Sequence, residues 1–229
     1  MHDMTTLDEA YRRVQEFKRT SLRQTISLLE DAFQELGGND SARTLEVWPI
    51  NAGLLKAALT LKVASAQIDG VVHSVGILLA LPHILEPDEK VEHLSLAAGN
   101  TGRAFDLQTT HRIAEFKFID WKGGSETIRQ NSLFKDFFDL AEYDTPKKRF
   151  LYVVGLKHPM KFFNGGRACK SVMSKNNSLW ERYSLRYPQF SKVCAFYEHK
   201  KAYVNIVDLA TIVPEFAATR ELLEKSAES

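Results

Sequence analysis

The stretch AFDLQTTHRIAEFKF, residues 104–118, decides the fold. Asp106 stands between Phe105 and Leu107, while Glu115 and Lys117 alternate with Ala114, Phe116 and Phe118. Successive side chains of a strand point to opposite faces, so this period of two predicts two short, half-buried strands joined by a tight turn. It also predicts that the three charges share one face. Two readings follow. The charges form an ion-pair patch on a solvent face with Asp106 capping a turn, or they form a site that uses them.

Working outward, VEHLSLAAG at 91–99 supplies a third strand, and GNTG and THR supply the turns of an antiparallel meander. SETIRQNSLFKDFFDLAEY, 125–143, reads as an amphipathic helix with Ser125 as N-cap and Ile128, Leu133, Phe137, Leu140 and Ala141 on or near its apolar face. RFLYVVGL, 149–156, reads as a buried strand. Upstream, apolar residues from Leu7 to Leu36 recur at helical spacing as one long helix or a pair, and GGND at 37–40 reads as their terminator. After WPIN, one helix is expected over Ala52–Ala66 and a second over Asp69–Leu81, where GVVHSVGILLAL also fits a buried strand. Downstream come short helices, then two strands or a strand and a helix over 192–214, then a helix from Glu215. The expectation is an α/β chain of the α+β kind: a mixed sheet covered by helices, with a helical extension over residues 1–50 and one domain over 51–229.

With 229 residues and 44% hydrophobic content the chain can bury a real core. The most apolar window, Val71–Leu85, contains His73, Pro82 and His83 and reads as too short for a membrane span; the N-terminal residues lack a signal-like apolar run. A cytoplasmic protein without a membrane partner is expected. Cys169 and Cys194 belong to no CxxC or Cys/His cluster, so neither a disulfide framework nor a zinc site is suggested.

The net charge of +1 hides an asymmetry. Residues 147–201 hold 13 Lys or Arg against Glu181 and Glu198 alone, and the remainder is correspondingly acidic. Aromatics including Tyr152, Phe162, Trp180 and Tyr187 run through the same segment. Cations neutralise phosphates and aromatic faces stack on bases, so the mixture suits a nucleic-acid surface; it also suits a solvated basic face over an aromatic core.

Asp106 and Glu115 lie nine residues apart across a tight turn, so adjacent strands can bring both carboxylates to one ion. Carboxylate oxygens suit Mg²⁺ or Mn²⁺, and the backbone carbonyl of Phe116 can add a ligand. Lys117, two residues on, projects to the same side as Glu115, where an ammonium can orient a water and neutralise charge on a phosphorane-like transition state.

These residues resemble the catalytic core of the PD-(D/E)XK nuclease superfamily, which has the restriction-endonuclease-like fold. The resemblance rests on GNTGRAFDLQTTHRIAEFKF and on the αβββαβ order of elements over about residues 52–156. It implies that Asp106 and Glu115 bind metal and that Lys117 assists the nucleophilic water. Phe105 stands where the motif has proline. Gln130, beside Arg129, resembles the glutamine of the exonuclease-like branches, although Phe134 replaces the tyrosine expected a turn later. Some members add an acid from the helix before the first strand, for which Asp69 is the candidate and Glu92 the second choice.

A Mg²⁺- or Mn²⁺-dependent nuclease acting on DNA is therefore expected, with RNA not excluded. Arg103, Arg129, Arg167 and Lys170 are the expected backbone contacts, and a homodimer is expected if both strands of a duplex are cut. The rivals are a nucleic-acid-binding protein on the same fold without activity, and an assembly protein. His73, His83, His93 and His111 show no paired ligand spacing and read as ordinary histidines; NGGRACK, 164–170, reads as a turn and cap.

Overall fold

The computed structural model describes residues 6–19, 21–34, 38–48, 50–96, 104–118, 121 and 126–217. The chain divides into two compact units, 1–69 and 70–229. The first holds α1 (Leu7–Lys18), α2 (Leu22–Phe33), α3 (Gly38–Val47) and the beginning of α4 (Ala52–Ile84). Thr6, Ser21 and Asn51 start α1, α2 and α4 by accepting hydrogen bonds from the backbone N–H groups of Glu9, Gln24 and Leu54. The segment expected to stop the N-terminal helices instead opens one: 38–40 is the first turn of α3. Gly, Asn and Asp suit a helix start as readily as a helix end, so composition alone does not choose.

Two expected helices are one. Nothing between Ala66 and Asp69 breaks the backbone, and Gly70 costs only about 1 kcal/mol inside a helix, so α4 runs unbroken for 33 residues. The strand alternative for this segment falls with it. Among the described residues α4 is the one helix long and apolar enough to cross a membrane, by length and composition alone, with an 18-residue window of mean hydropathy 1.5. In the second unit the end of α4 has another role, because Ile77, Ala80 and Ile84 are buried against the sheet.

That sheet has five strands in the order β1 (Val91–Leu94), β2 (Leu107–Thr109), β3 (Arg112–Lys117), β4 (Lys148–Val153) and β5 (Asn205–Asp208). β1, β2 and β3 form an antiparallel meander, and β3, β4 and β5 are parallel. The β3–β4 connection carries α5 (Thr127–Glu142); α6 (Lys157–Phe163), α7 (Cys169–Val172), α8 (Asn177–Arg186) and α9 (Val193–Lys200) lie between β4 and β5. The 192–214 segment thus resolves as a helix followed by a strand, and the helix expected from Glu215 falls largely outside the described residues.

Both sheet faces are covered. Ile113, Leu151 and Val153 pack on Leu133, Phe134, Phe137 and Phe138 of α5 and on the later helices. Leu107, Ala114, Phe116 and Tyr152 pack on α4 and on Leu209 and Val213. The expected mixed, helix-covered sheet is present. The α5 face differs from expectation at two places: Ile128 is 78% exposed, and Asp136 is buried among the phenylalanines. Ser125, the expected cap, lies outside the described residues.

A buried polar knot ties the turn end of β2 and β3. Arg112, 5% exposed, reaches Glu89 through Nε at 2.6 Å and Nη2 at 2.5 Å, and its Nη1 donates to Tyr152 Oη at 3.0 Å. Thr109 Oγ1 donates to Glu89 and accepts from the Arg112 N–H at 2.8 Å.

Candidate active site

The opposite end of the meander is where the acids meet. Glu115 follows Ile113 and precedes Lys117 on the α5 face of β3, as the alternation requires. Asp106 does not join that face. Phe105 packs on the α5 side and Leu107 on the α4 side, so the chain turns over at Asp106 immediately before β2 begins. Its carboxylate lies in the plane of the sheet, where Oδ2 accepts the Phe116 N–H at 2.9 Å. It thereby takes the ladder position that one more residue of β2 would fill. From there it is hydrogen-bonded to Glu115 and lies 3.4 Å, Oδ1 to Nε2, from His73 of α4. The expectation that three charges share a face is corrected: two do, and the third bridges the two faces.

The direction of the Phe116 carbonyl follows from the same geometry. Lys117 O accepts the Val154 N–H on the β4 side. Carbonyls alternate along a strand, so the Phe116 carbonyl points the other way, toward Asp106.

The electrostatics make one unit of these groups. Burial pushes the Glu115 carboxyl up to about 10, with the negative charges of Asp136 and Asp106 adding to it. Burial also acts against ionised Asp106, but hydrogen bonds from His73, the Phe116 N–H and Glu115 outweigh it and hold this carboxyl below its ordinary range. The two carboxyls are thus pushed in opposite directions, Glu115 toward its protonated form and Asp106 toward its ionised form. Lys117 is raised: burial opposes its charge, and Asp136 and Glu115 overcome that opposition. The Asp136 Oδ2 stands 2.5 Å from Lys117 Nζ, outside hydrogen-bond geometry, and has no hydrogen-bond partner.

His73 and Asp136 are the residues that sequence reading missed. His73 was set aside for want of a ligand pair, and Asp136 was absorbed into an apparently apolar helix face. The one available signal for His73 was its place one helical turn after Asp69. Asp69 itself is exposed and belongs to the first unit. His73 is placed by a close approach: a Cβ on Gly76 would lie 2.6 Å from the Phe118 ring, and that ring meets His73 edge-on at 5.9 Å.

The remaining expected residues are dispersed. Gln130 Oε1 accepts a hydrogen bond from Arg167 Nη1, so these two meet each other rather than the acids. Arg129 pairs with Glu126 at 2.5 Å and, with Lys117, lines a cavity of about 40 Å³. Lys170 is exposed on α7. Glu92 is taken by Lys147 at 2.5 Å, and Arg103 lies outside the described residues.

Much of the basic segment is folded back on acids elsewhere. Lys147 and Lys148 pair with Glu92 and Glu86; Arg182 pairs with Asp139, and Arg186 and Lys200 pair with Glu142. Lys157, Lys161, Lys170, Lys175 and Lys192 remain exposed to solvent.

A second acidic group, Glu86, Glu89 and His111, brings its ligand atoms within 4.8 Å of one another. Glu89 is already bidentate to buried Arg112, and a cation there would leave that guanidinium buried and unpaired. The group reads as part of the polar knot.

No family model, curated protein or solved structure matches the chain.

Proposed function

We propose that the chain is a metal-dependent nuclease of the PD-(D/E)XK kind that hydrolyses phosphodiester bonds in DNA. The observation that carries this reading is the hydrogen-bonded pair of Asp106, immediately before β2, and Glu115 of β3, with Lys117 two residues beyond on the Glu115 face. The succession of helix, three-strand antiparallel meander, helix and parallel strand around that pair supports a restriction-endonuclease-like core.

The donors suit a hard divalent cation. Asp106, Glu115 and the Phe116 carbonyl offer oxygen, and His73 stands next to Asp106. Mg²⁺ or Mn²⁺ bound there supplies Lewis acidity and a water of lowered pKa. A protonated carboxyl beside an ionised one is poised to release its proton when a cation competes for both. Lys117 orients the attacking water and offsets charge growing on the phosphoryl oxygens, and Asp136 holds that ammonium in place. The exposed lysines of α6 and α7 contact the phosphate backbone without reading sequence.

Incubation with single-stranded, linear and circular DNA plus Mg²⁺ or Mn²⁺, with a chelator control and Asp106→Ala in parallel, tests the reading. Cleavage lost with chelator and with the variant supports it; cleavage by neither protein under any condition refutes it.

A further inference from the structure

An open pocket of about 470 Å³ lies between the segment just before Asp106, the second half of α5 and α8. Its size falls in the range of small-ligand sites. Phe105, the residue before Asp106, forms one wall and meets Tyr143 edge-on at 4.9 Å and 89°. Tyr143 is 41% exposed, so a partly open aromatic ring lines the pocket with a second ring fixing its tilt. Ala104, three cations, Lys135, Arg182 and Arg186, and two acids, Asp139 and Glu142, complete the lining. Lys135 connects the pocket to the site through Asp136, whose Oδ1 it meets at 3.5 Å and whose Oδ2 faces Lys117.

Aromatic surface with several cations is the chemistry that takes an unpaired nucleotide. We propose that this pocket receives the nucleotide next to the scissile phosphate, its base stacked on Tyr143 and its phosphate held by Arg182 and Arg186, and that the substrate is therefore single-stranded DNA. The assignment to a scissile phosphate rests on the nuclease reading; the binding of an unpaired nucleotide does not. A base inside a duplex has both faces covered by its neighbours and cannot lie on a ring inside a concave pocket. The guanidiniums are paired at present with Asp139 and Glu142 at 2.9 and 2.7 Å, but Arg182 and Arg186 are more than half exposed. Asp139 and Glu142 each keep a second cation, Lys135 at 3.1 Å and Lys200 at 3.0 Å, so a phosphate can take over the arginines without leaving either acid unpaired. Arg182 also lies over the Phe138 ring at 5.2 Å, which keeps its plane fixed when the carboxylate is exchanged.

The test measures binding with metal chelated, so that no cleavage intervenes. Fluorescein-labelled oligothymidylate and a hairpin duplex of equal charge are titrated by anisotropy. Single strand binds about ten-fold tighter or better, Tyr143→Ala removes about that factor, and Tyr143→Phe keeps it. Arg182→Gln with Arg186→Gln flattens the salt dependence by about one counterion per arginine. Circular dichroism melts of each variant verify the fold. Equal binding of the two forms, or indifference of the single strand to Tyr143→Ala, overturns the proposal. Cleavage in Mg²⁺ separates it from the broader reading. Tyr143-dependent binding without cleavage leaves the pocket and removes the nuclease; Asp106-dependent cleavage with Tyr143-independent binding does the reverse.

Discussion

The ammonium of Lys117 is held by a carboxylate on a different element, Asp136 of α5, at 2.5 Å. Asp136 is 5% exposed on a helix whose Phe134, Phe137 and Phe138 are buried, and its partners are Lys117 and, at 3.5 Å, Lys135. Asp136→Asn is expected to lower single-turnover cleavage by about ten-fold or more while Mg²⁺ affinity changes little, because it removes the group that places Lys117 and none that binds the ion. An unchanged rate would show that Lys117 is placed by other contacts.

Asp106→Ala and Glu115→Ala are each expected to abolish cleavage and the rise in melting temperature caused by Mg²⁺ or Mn²⁺, since a ligand that binds only the folded state stabilises it. Lys117→Ala is expected to abolish cleavage and keep the metal-induced rise. Differential scanning fluorimetry with and without metal, beside a cleavage assay, separates the roles.

The raised Glu115 carboxyl has a sign that can be checked without any substrate. Between 4.5 and about 10 the folded chain holds a proton that the unfolded chain has lost. Stability contributed by this group is full below 4.5 and declines as pH rises through that window. Glu115→Gln keeps the neutral form, so the metal-free variant is expected to melt above the wild type, by a margin that grows from about pH 6 to about pH 9. A variant that melts lower across that range would contradict the burial of a protonated Glu115.

Glu89 runs in the opposite direction. Burial would raise it, but Arg112, the Glu86 N–H and the Thr109 hydroxyl bring it down to about 2. Its contribution is present above 4.5 and is lost as pH falls toward about 2. Glu89→Gln, which leaves buried Arg112 with only the more distant Glu86 at 3.7 Å as counter-charge, is expected to cost about 3 kcal/mol in urea denaturation at neutral pH, and to narrow that difference in acid.

Gly76→Ala inserts a methyl where the Phe118 ring already stands. It is expected to cost about 1–3 kcal/mol and to draw His73 away from Asp106. The imidazole NMR resonances of His73, compared between the two proteins, report the displacement.

The alternation in residues 112–118 was enough to locate β3, to put Glu115 and Lys117 on one face and to imply β4 beyond a helix. Asp106 was legible as a neighbour of Glu115 but not as a substitute for a ladder residue, because that role depends on where β2 starts. Asp136 was hidden because the acids of LFKDFFDL do not disturb its apolar pattern, and nothing in the pattern says which of them turns inward. His73 was hidden because its neighbour comes from a distant strand. In the basic segment the charge count does not show which cations are paired: Lys148, Arg182 and Arg186 meet acids near β1 and on α5 that lie far off in sequence.

The substitution of a side chain for a ladder residue makes the acid pair a reporter of alignment. Leu107 pairs with Ala114 and Gln108 with Ile113. A slip of one residue between these strands would send Asp106 past the Phe116 N–H and would turn the Glu115 face toward the core packed on α4. Correctly threaded molecules alone would then present both carboxylates to one cation. The two-residue connection Thr110–His111 is thus the least forgiving place in the chain for an insertion or deletion, although neither of its residues lies at the site.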